Sequence, residues 1–128
     1  MSKAKTFCVI NYKGGTGKTC TLINIAHAIS KKGLKVLIID TDPQGSTSYH
    51  LGVTPKKTLY DIITKKAPPN ECIISARENL DLIASNEHLF PAEHFMHQQK
   101  NREQILLNAL APLTAYYDYI FMDCSPSI

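Results

Sequence analysis

A glycine-rich loop between a short apolar run and a helical pattern limits the fold more than any other feature of the sequence. Residues 6–10, TFCVI, are almost uniformly apolar, as in a strand that is covered on both faces. The loop GGTGKT follows at residues 14–19. Apolar residues then recur on one face of a helix predicted over about residues 18–32: Leu22, Ile25, Ala26 and Ile29. Strand, glycine turn and helix in this order predict a phosphate-binding loop in an α/β fold.

The rest of the chain continues the alternation of strands and helices. Apolar runs predict further strands over residues 34–40, 80–85 and 117–123. Helices are predicted over residues 59–65, over 71–76 and along the apolar face of 105–113. Strands separated by helices imply right-handed crossovers, so we predict one domain with a parallel sheet and helices on both faces, a three-layer α/β fold.

The residues of the loop suit a nucleoside triphosphate. Gly14, Gly15 and Gly17 let the backbone turn its N–H groups inward, where a side chain would block a phosphate. The helix that starts near Lys18 directs its positive end to the same place. Lys18 then supplies a charge to the β- and γ-phosphates, and the Thr19 hydroxyl is a ligand for Mg²⁺. ATP and Mg²⁺ are the predicted ligands.

One position departs from the usual phosphate-loop pattern G-x-x-x-x-G-K-[ST]. That pattern requires a glycine at position 12, where this chain has Tyr12, and the next residue, Lys13, adds a second positive charge. The spacing alone does not explain why the loop lacks this glycine and carries an additional lysine.

Three aspartates are predicted to lie beside the loop. Asp40 ends the second strand, Asp42 follows it, and Asp123 ends the fourth. Ligands of parallel α/β sheets bind at the carboxyl ends of the strands, where these carboxylates and the glycine loop meet. Such carboxylates are suited to holding the water shell of a metal and to positioning an attacking water.

Charge and composition restrict the function classes further. Residues 1–66 carry eleven lysines and three aspartates, a balance of +8, whereas residues 67–128 carry three cations and eight acids, a balance of −5. The basic half suits an anionic ligand and permits nucleic acid without indicating it. No apolar run approaches the ~20 residues of a membrane span, and no signal peptide is recognisable, so we expect a cytoplasmic protein. The four cysteines show no metal or disulfide spacing and are expected to be free thiols.

Three stretches together resemble a known family. NYKGGTGKT at the loop, IIDTDPQGS after the second strand and YDYIFMDCSPS at the fourth are similar to the ParA/Soj partition ATPases, within the ParA–MinD group of deviant Walker A proteins. The resemblance covers the whole chain in register. The loop of that family is K-G-G-x-G-K-[ST], so Lys13 is its signature lysine and the leading glycine is not part of the pattern.

The resemblance implies roles for individual residues. Lys13 reaches across an ATP-sandwiched homodimer to the partner's phosphates, and Asp42 positions the attacking water, so these two are the implied catalytic residues. Thr19, Asp40 and Asp123 are the implied metal site. The implied nucleotide-binding residues are Lys13, Gly14, Gly15, Thr16, Gly17, Lys18, Thr19 and Cys20. Gln44 and Pro126 mark the segments that respond to the γ-phosphate.

The resemblance also implies an activity and partners. The implied protein is a weak, partner-stimulated ATP hydrolase for chromosome or plasmid partition. In its full-length form it binds DNA nonspecifically, associates with the nucleoid and works with a ParB-like partner, without a membrane. The alternatives are a nucleotide-binding or oligomerisation fragment without turnover, and a MinD-like positioning ATPase.

The chain departs from the family at two positions and in its length. Cys20 stands where threonine is common, and Ser125 replaces the first proline of DCPPS. Family members are considerably longer, so residues 1–128 are expected to be the N-terminal part of one ATPase domain. The adenine-recognising segment and the DNA-binding surface are then expected outside these residues. The resemblance further implies that residues 6–10 form an open sheet edge next to the Asp123 strand.

Overall fold

A five-stranded sheet forms the centre of the fold. The computed structural model describes residues 5–10, 16–88, 106 and 108–124. The strands are β1 (Lys5–Ile10), β2 (Val36–Asp40), β3 (Ile73–Arg77), β4 (Leu80–Ile83) and β5 (Tyr119–Cys124). They lie in the order β1-β5-β2-β4-β3. Pairing is parallel from β1 to β4, as expected for strands that are joined by helical crossovers.

In the described part of the chain, three α-helices, a further α-helical segment and two 3₁₀ turns connect the strands. The helices are α1 (Thr16–Ser30), α2 (Ser46–Leu51) and α3 (Leu59–Ile63). The 3₁₀ turns are Pro69–Glu71 and Ala111–Tyr116, and residues 106 and 108–110 are α-helical. The predicted helix over 105–113 therefore changes to a 3₁₀ turn at Ala111, next to Pro112, because proline cannot continue the α-helical hydrogen bonds. None of the helices in the described part of the chain is long and apolar enough to cross a membrane.

The start of α3 confirms a capping pattern that the sequence predicts. The Thr58 hydroxyl accepts a hydrogen bond from the N–H of Tyr60 at 3.3 Å. In return, the Asp61 carboxylate accepts one from the N–H of Thr58 at 2.8 Å. These bonds satisfy backbone donors that the first turn of a helix cannot pair internally.

The helix predicted over residues 71–76 is wrong. Glu71 ends a 3₁₀ turn, and residues 73–76 lie in β3, which pairs antiparallel with β4, so the sheet is mixed and not entirely parallel. The hairpin depends on Asn79, which has φ of 61° and so allows the tight turn between the two strands. The side chains of Ile73 and Ile74 are half-buried against opposite faces of the sheet, the arrangement that a strand provides.

Helices cover both faces of the sheet, as predicted. One buried cluster packs α1 and α2 against one face: Leu22, Ala26, Val36, Ile38, Leu51, Leu80, Leu82, Ala84 and Phe121. The other packs α3 and the 3₁₀ turns against the opposite face: Leu37, Ile39, Leu59, Ile62, Ala67, Cys72, Ile83, Leu110, Leu113, Ile120 and Met122. Successive residues of β2 alternate between the clusters, which fixes its register and gives three layers.

The position of β1 predicts how residues 1–128 behave when they are produced alone. Within the described residues, β5 pairs with one side of β1 and no strand pairs with the other. An open edge with unpaired N–H and C=O groups is a template for another chain. We therefore expect this polypeptide to self-associate through β1 whether or not ATP is present. Sedimentation without nucleotide measures this, and a monomer that melts cooperatively would contradict it.

Candidate functional site

The order of the strands brings two of the predicted aspartates together. β5 lies between β1 and β2, and its Asp123 is in register with Asp40 of β2. Both residues are buried: the exposed fraction is 1% for Asp123 and 0% for Asp40. They lie at the carboxyl ends of the parallel strands, where the chain leaves β1 for α1. The adjacency that the sequence predicts is therefore present.

The phosphate loop is described in part. Lys13, Gly14 and Gly15 lie outside the described residues, as does Pro126. Residues 16–18 form the helical backbone at the start of α1. Thr19 follows within the first turn and is buried, and the next residue, Cys20, is exposed. The described residues thus place the N-terminal turn of α1 against the aspartates.

Two threonine hydroxyls meet one oxygen of Asp123. Thr19 Oγ1 lies 3.3 Å from Asp123 Oδ2 and donates to it, which joins α1 to β5. Thr47 Oγ1, from α2, donates to the same Oδ2 at 3.0 Å. Thr19, Thr47 and Asp123 are all almost completely buried, so these hydrogen bonds are shielded from water and hold the carboxylate in one orientation.

Backbone N–H groups hold the second aspartate. Asp40 Oδ1 accepts from the N–H of Asp42 at 2.9 Å, and Asp40 Oδ2 accepts from the N–H of Thr47 at 3.3 Å. Burial raises the pKa of Asp40 from 3.8 to about 7, with the nearby Asp123 adding to the rise and the Asp42 N–H opposing it. A divalent cation between these carboxylates would favour the ionised form, because an opposite charge lowers a carboxyl pKa.

The segment after β2 carries Asp42 on a tight loop. The Asp42 carboxylate is half-buried and accepts from the N–H of Gln44 at 3.0 Å. The Ser85 hydroxyl, just beyond β4, donates to the backbone carbonyl of Asp42. The loop is therefore fixed to the neighbouring strand, while the Asp42 side chain stays partly accessible at the edge of the site.

The donor set fits Mg²⁺ together with a nucleotide. Oxygen ligands are the ones that Mg²⁺ prefers, and it commonly keeps several waters beside one or two carboxylates and substrate phosphates. Thr19, Asp40 and Asp123 supply one hydroxyl and two carboxylates at one point of the structure. Among the described residues, no three histidine, cysteine or carboxylate side chains converge as a metal-only cage would require.

Sequence reasoning missed Thr47 and Ser85. Thr47 lies in α2, which begins directly after Gly45, and no role was assigned to it from the sequence. The available signal was a run of three hydroxyl residues, 46–48, about one turn beyond Asp42. Ser85 carried no local signal, because its contact with Asp42 joins residues 43 positions apart.

Gly45 gives a test of how tightly this loop is fixed. Its φ is 68°, and a Cβ added there would lie 2.9 Å from the Ser85 carbonyl oxygen. Gly52, at the other end of α2, has φ of 70° and nothing within 4 Å of such a Cβ. Gly52→Ala is therefore expected to cost about 1 kcal/mol of unfolding free energy, the left-handed penalty alone. Gly45→Ala adds a clash with backbone and is expected to cost about 1–3 kcal/mol more.

Chemical denaturation of both variants and the parent measures the difference. Because both substitutions are alanine at a left-handed glycine, their comparison isolates the contact with Ser85. Equal losses of stability would show that the loop moves freely away from β4.

Comparisons with known proteins show the family of this chain. A family profile described as an AAA domain matches residues 4–128. The chromosome partitioning protein ParA of Myxococcus xanthus is 36% identical over 128 residues, which cover 97% of this chain and 45% of that protein. The chain belongs to the ParA/Soj partition ATPase family. Another relative, the sporulation initiation inhibitor protein Soj of Bacillus subtilis, is 36% identical over 97% of this chain and 51% of its own length. The chain spans about half the length of these curated relatives.

A solved structure supports the fold of this ParA/Soj member. Cobyrinic acid a,c-diamide synthase from Mycobacterium smegmatis, solved with a bound ATP analog and magnesium, superposes with a TM-score of 0.87. It is 31% identical, and the match covers 97% of this chain and 52% of that one. The predicted α/β fold of P-loop type is thereby confirmed, with the antiparallel β3 as the correction.

Proposed function

We propose that this ParA/Soj family member binds Mg²⁺ and ATP at the carboxyl ends of β1, β2 and β5 and hydrolyses the ATP. The observation that carries the proposal is the buried hydrogen bond from Thr19 to Asp123, which is in register with the buried Asp40, beside the N-terminus of α1. A phosphate loop requires such carboxylates beside it, since they hold the metal that accompanies the nucleotide.

Different residues of the chain are proposed to bind the phosphates, the metal and the attacking water. Backbone N–H groups of residues 14–19 cradle the phosphates, and Lys18 neutralises the β- and γ-phosphates. Thr19 would be a direct ligand of the metal, and Asp40 and Asp123 would hold it through water. When bound, Mg²⁺ would supply charge neutralisation between the β- and γ-phosphate oxygens. Asp42 is proposed to orient the attacking water, and the partial exposure of this residue, in contrast to the buried Asp40 and Asp123, supports the role.

A dimer is proposed to complete the site. Lys13 precedes the glycines and is proposed to reach the phosphates of the nucleotide in the second subunit. A cation supplied in trans stabilises charge that develops in the transition state, as an arginine finger does. Hydrolysis would then depend on assembly, and each monomer alone would be a slow enzyme.

We further propose a cytoplasmic role in chromosome or plasmid partition for the complete protein. Support comes from relatives that are named for chromosome partitioning and from the motif order in residues 1–128, which we assign to the N-terminal part of one ATPase domain. DNA, bound nonspecifically, and a ParB-like partner are its proposed effectors. Both would act on the dimer and not on the phosphate loop.

Paired assays with radiolabelled ATP test the proposal on the complete protein. One assay measures equilibrium binding, and the other measures hydrolysis with and without DNA and the partner protein. We expect ATP binding that Mg²⁺ strengthens and slow hydrolysis that the two effectors accelerate. Binding without turnover under all conditions would favour a nucleotide-dependent scaffold, and stimulation by membrane vesicles instead of DNA would favour a MinD-like positioning ATPase.

A further inference from the structure

We infer that Thr47 is a positioning residue of the metal site, through which the helix after the Asp40–Asp42 loop sets the orientation of both buried carboxylates. The inference rests on the proposed function, since it concerns the same Mg²⁺ and ATP. It adds a residue that neither the phosphate loop nor the aspartate pattern includes.

The contacts of Thr47 are its first support. Its hydroxyl donates to Asp123 Oδ2 at 3.0 Å, while its backbone N–H donates to Asp40 Oδ2 at 3.3 Å. A single residue thus contacts the carboxylates of two neighbouring strands. Thr47 is 0% exposed, so water cannot replace either bond without opening the site.

The shared acceptor explains what the hydroxyl does. Asp123 Oδ2 accepts from both Thr19 and Thr47, at 3.3 and 3.0 Å. While the Thr19 hydroxyl donates a hydrogen bond to Asp123, the lone pairs of its oxygen remain available to a metal. The hydrogen bond from Thr47 holds Oδ2 where it can accept the hydrogen bond from Thr19. Loss of the Thr47 bond would let the carboxylate rotate, and Thr19 would then lose its fixed hydroxyl orientation. Groups that orient metal ligands in this way typically change metal affinity about 10- to 100-fold when they are removed.

A purely structural role for Thr47 makes a different prediction. If its hydroxyl only anchors α2 to the sheet, its loss lowers stability without changing metal affinity in the folded protein. Thr41 offers a matched control, because its hydroxyl donates at 3.0 Å to the backbone carbonyl of Asp123 and not to the carboxylate. The N–H of Thr41 donates to the same carbonyl at 2.9 Å, so the backbone contact survives removal of the Thr41 hydroxyl.

The experiment uses Mn²⁺ as a paramagnetic substitute for Mg²⁺ and measures its binding by electron paramagnetic resonance. The sample is the complete protein saturated with a slowly hydrolysed ATP analogue. Thr47→Val keeps the side-chain shape and the backbone N–H but removes the hydroxyl. We expect it to weaken Mn²⁺ binding about 10-fold or more. Thr47→Ser restores the hydroxyl and is expected to return affinity to within about 3-fold of the parent. Thr41→Val is expected to leave it unchanged.

Nucleotide affinity without metal and thermal unfolding are recorded for each variant. We expect metal-free nucleotide affinity to be the same in all of them, since within the described residues the side chain of Thr47 donates to Asp123 and its N–H to Asp40, both assigned to the metal. If Thr47→Val does not fold, Thr47→Ala replaces it in the same comparison. Equal Mn²⁺ affinity of the folded hydroxyl-free variant and the parent would overturn the inference while leaving the proposed function intact. Failure of the parent itself to bind Mn²⁺ with the analogue would overturn both.

Discussion

Replacement of Lys18 by alanine is expected to abolish measurable ATP binding by the complete protein. The Lys18 ammonium is assigned to two phosphates, and hydrogen bonds to charged groups contribute about 1.5–3 kcal/mol each, so affinity should fall roughly 100-fold or more. Equilibrium binding of radiolabelled ATP, with thermal unfolding to show that the variant is folded, measures the effect. A variant that binds within a few-fold of the parent would remove Lys18 from the site.

Lys13→Ala is the informative comparison, because it removes the same charge from a neighbouring position. We expect it to spare ATP binding, since its proposed target is the nucleotide of the other subunit. It should block the ATP-dependent dimer or lower hydrolysis about 10³-fold, the scale of a charge that is supplied in trans. Dimerisation is measured by sedimentation with ATP. If Lys13→Ala left both dimer and hydrolysis intact, the signature-lysine assignment would be wrong.

Asp42→Ala is expected to trap the protein as an ATP-bound dimer. The substitution removes the group that orients the attacking water, while the phosphate contacts and the buried pair of Asp40 and Asp123 remain. Hydrolysis should fall about 10²- to 10⁴-fold, the usual effect of removing a general base or water-positioning group. ATP affinity should stay close to that of the parent.

Single-turnover hydrolysis and sedimentation with ATP check this expectation. Glu78→Ala is a suitable control, since Glu78 is an exposed carboxylate in the β3–β4 turn, at the other end of the strands. Equal hydrolysis rates for Asp42→Ala and the parent would move the catalytic role to another residue. Loss of ATP binding would instead show that Asp42 holds the nucleotide.

Local patterns were sufficient to predict the elements that build the site. β2 is apolar throughout and ends on Asp40, so its period and end point are visible in a few consecutive residues. The rule that ligands bind at the carboxyl ends of parallel strands then places Asp40 near Asp123. The structure puts the two in register across adjacent strands.

Contacts between distant segments explain what the sequence did not predict. The short, half-buried pattern of β3 suits a helix or a strand, and pairing with β4 makes it a strand. Thr47 has no sequence signal of function by itself, because its role depends on a carboxylate 76 positions away. Such a role becomes visible only when the order of the strands is known.

The central claim is that Mg²⁺ and ATP bind between the start of α1 and the ends of β2 and β5. A crystal structure of the complete protein with a non-hydrolysable ATP analogue and Mg²⁺ tests it most directly. We predict the phosphates inside residues 13–20, with the metal about 2.1 Å from Thr19 Oγ1 and joined through water to Asp40 and Asp123. An analogue bound elsewhere, or a metal away from these three side chains, would contradict the account.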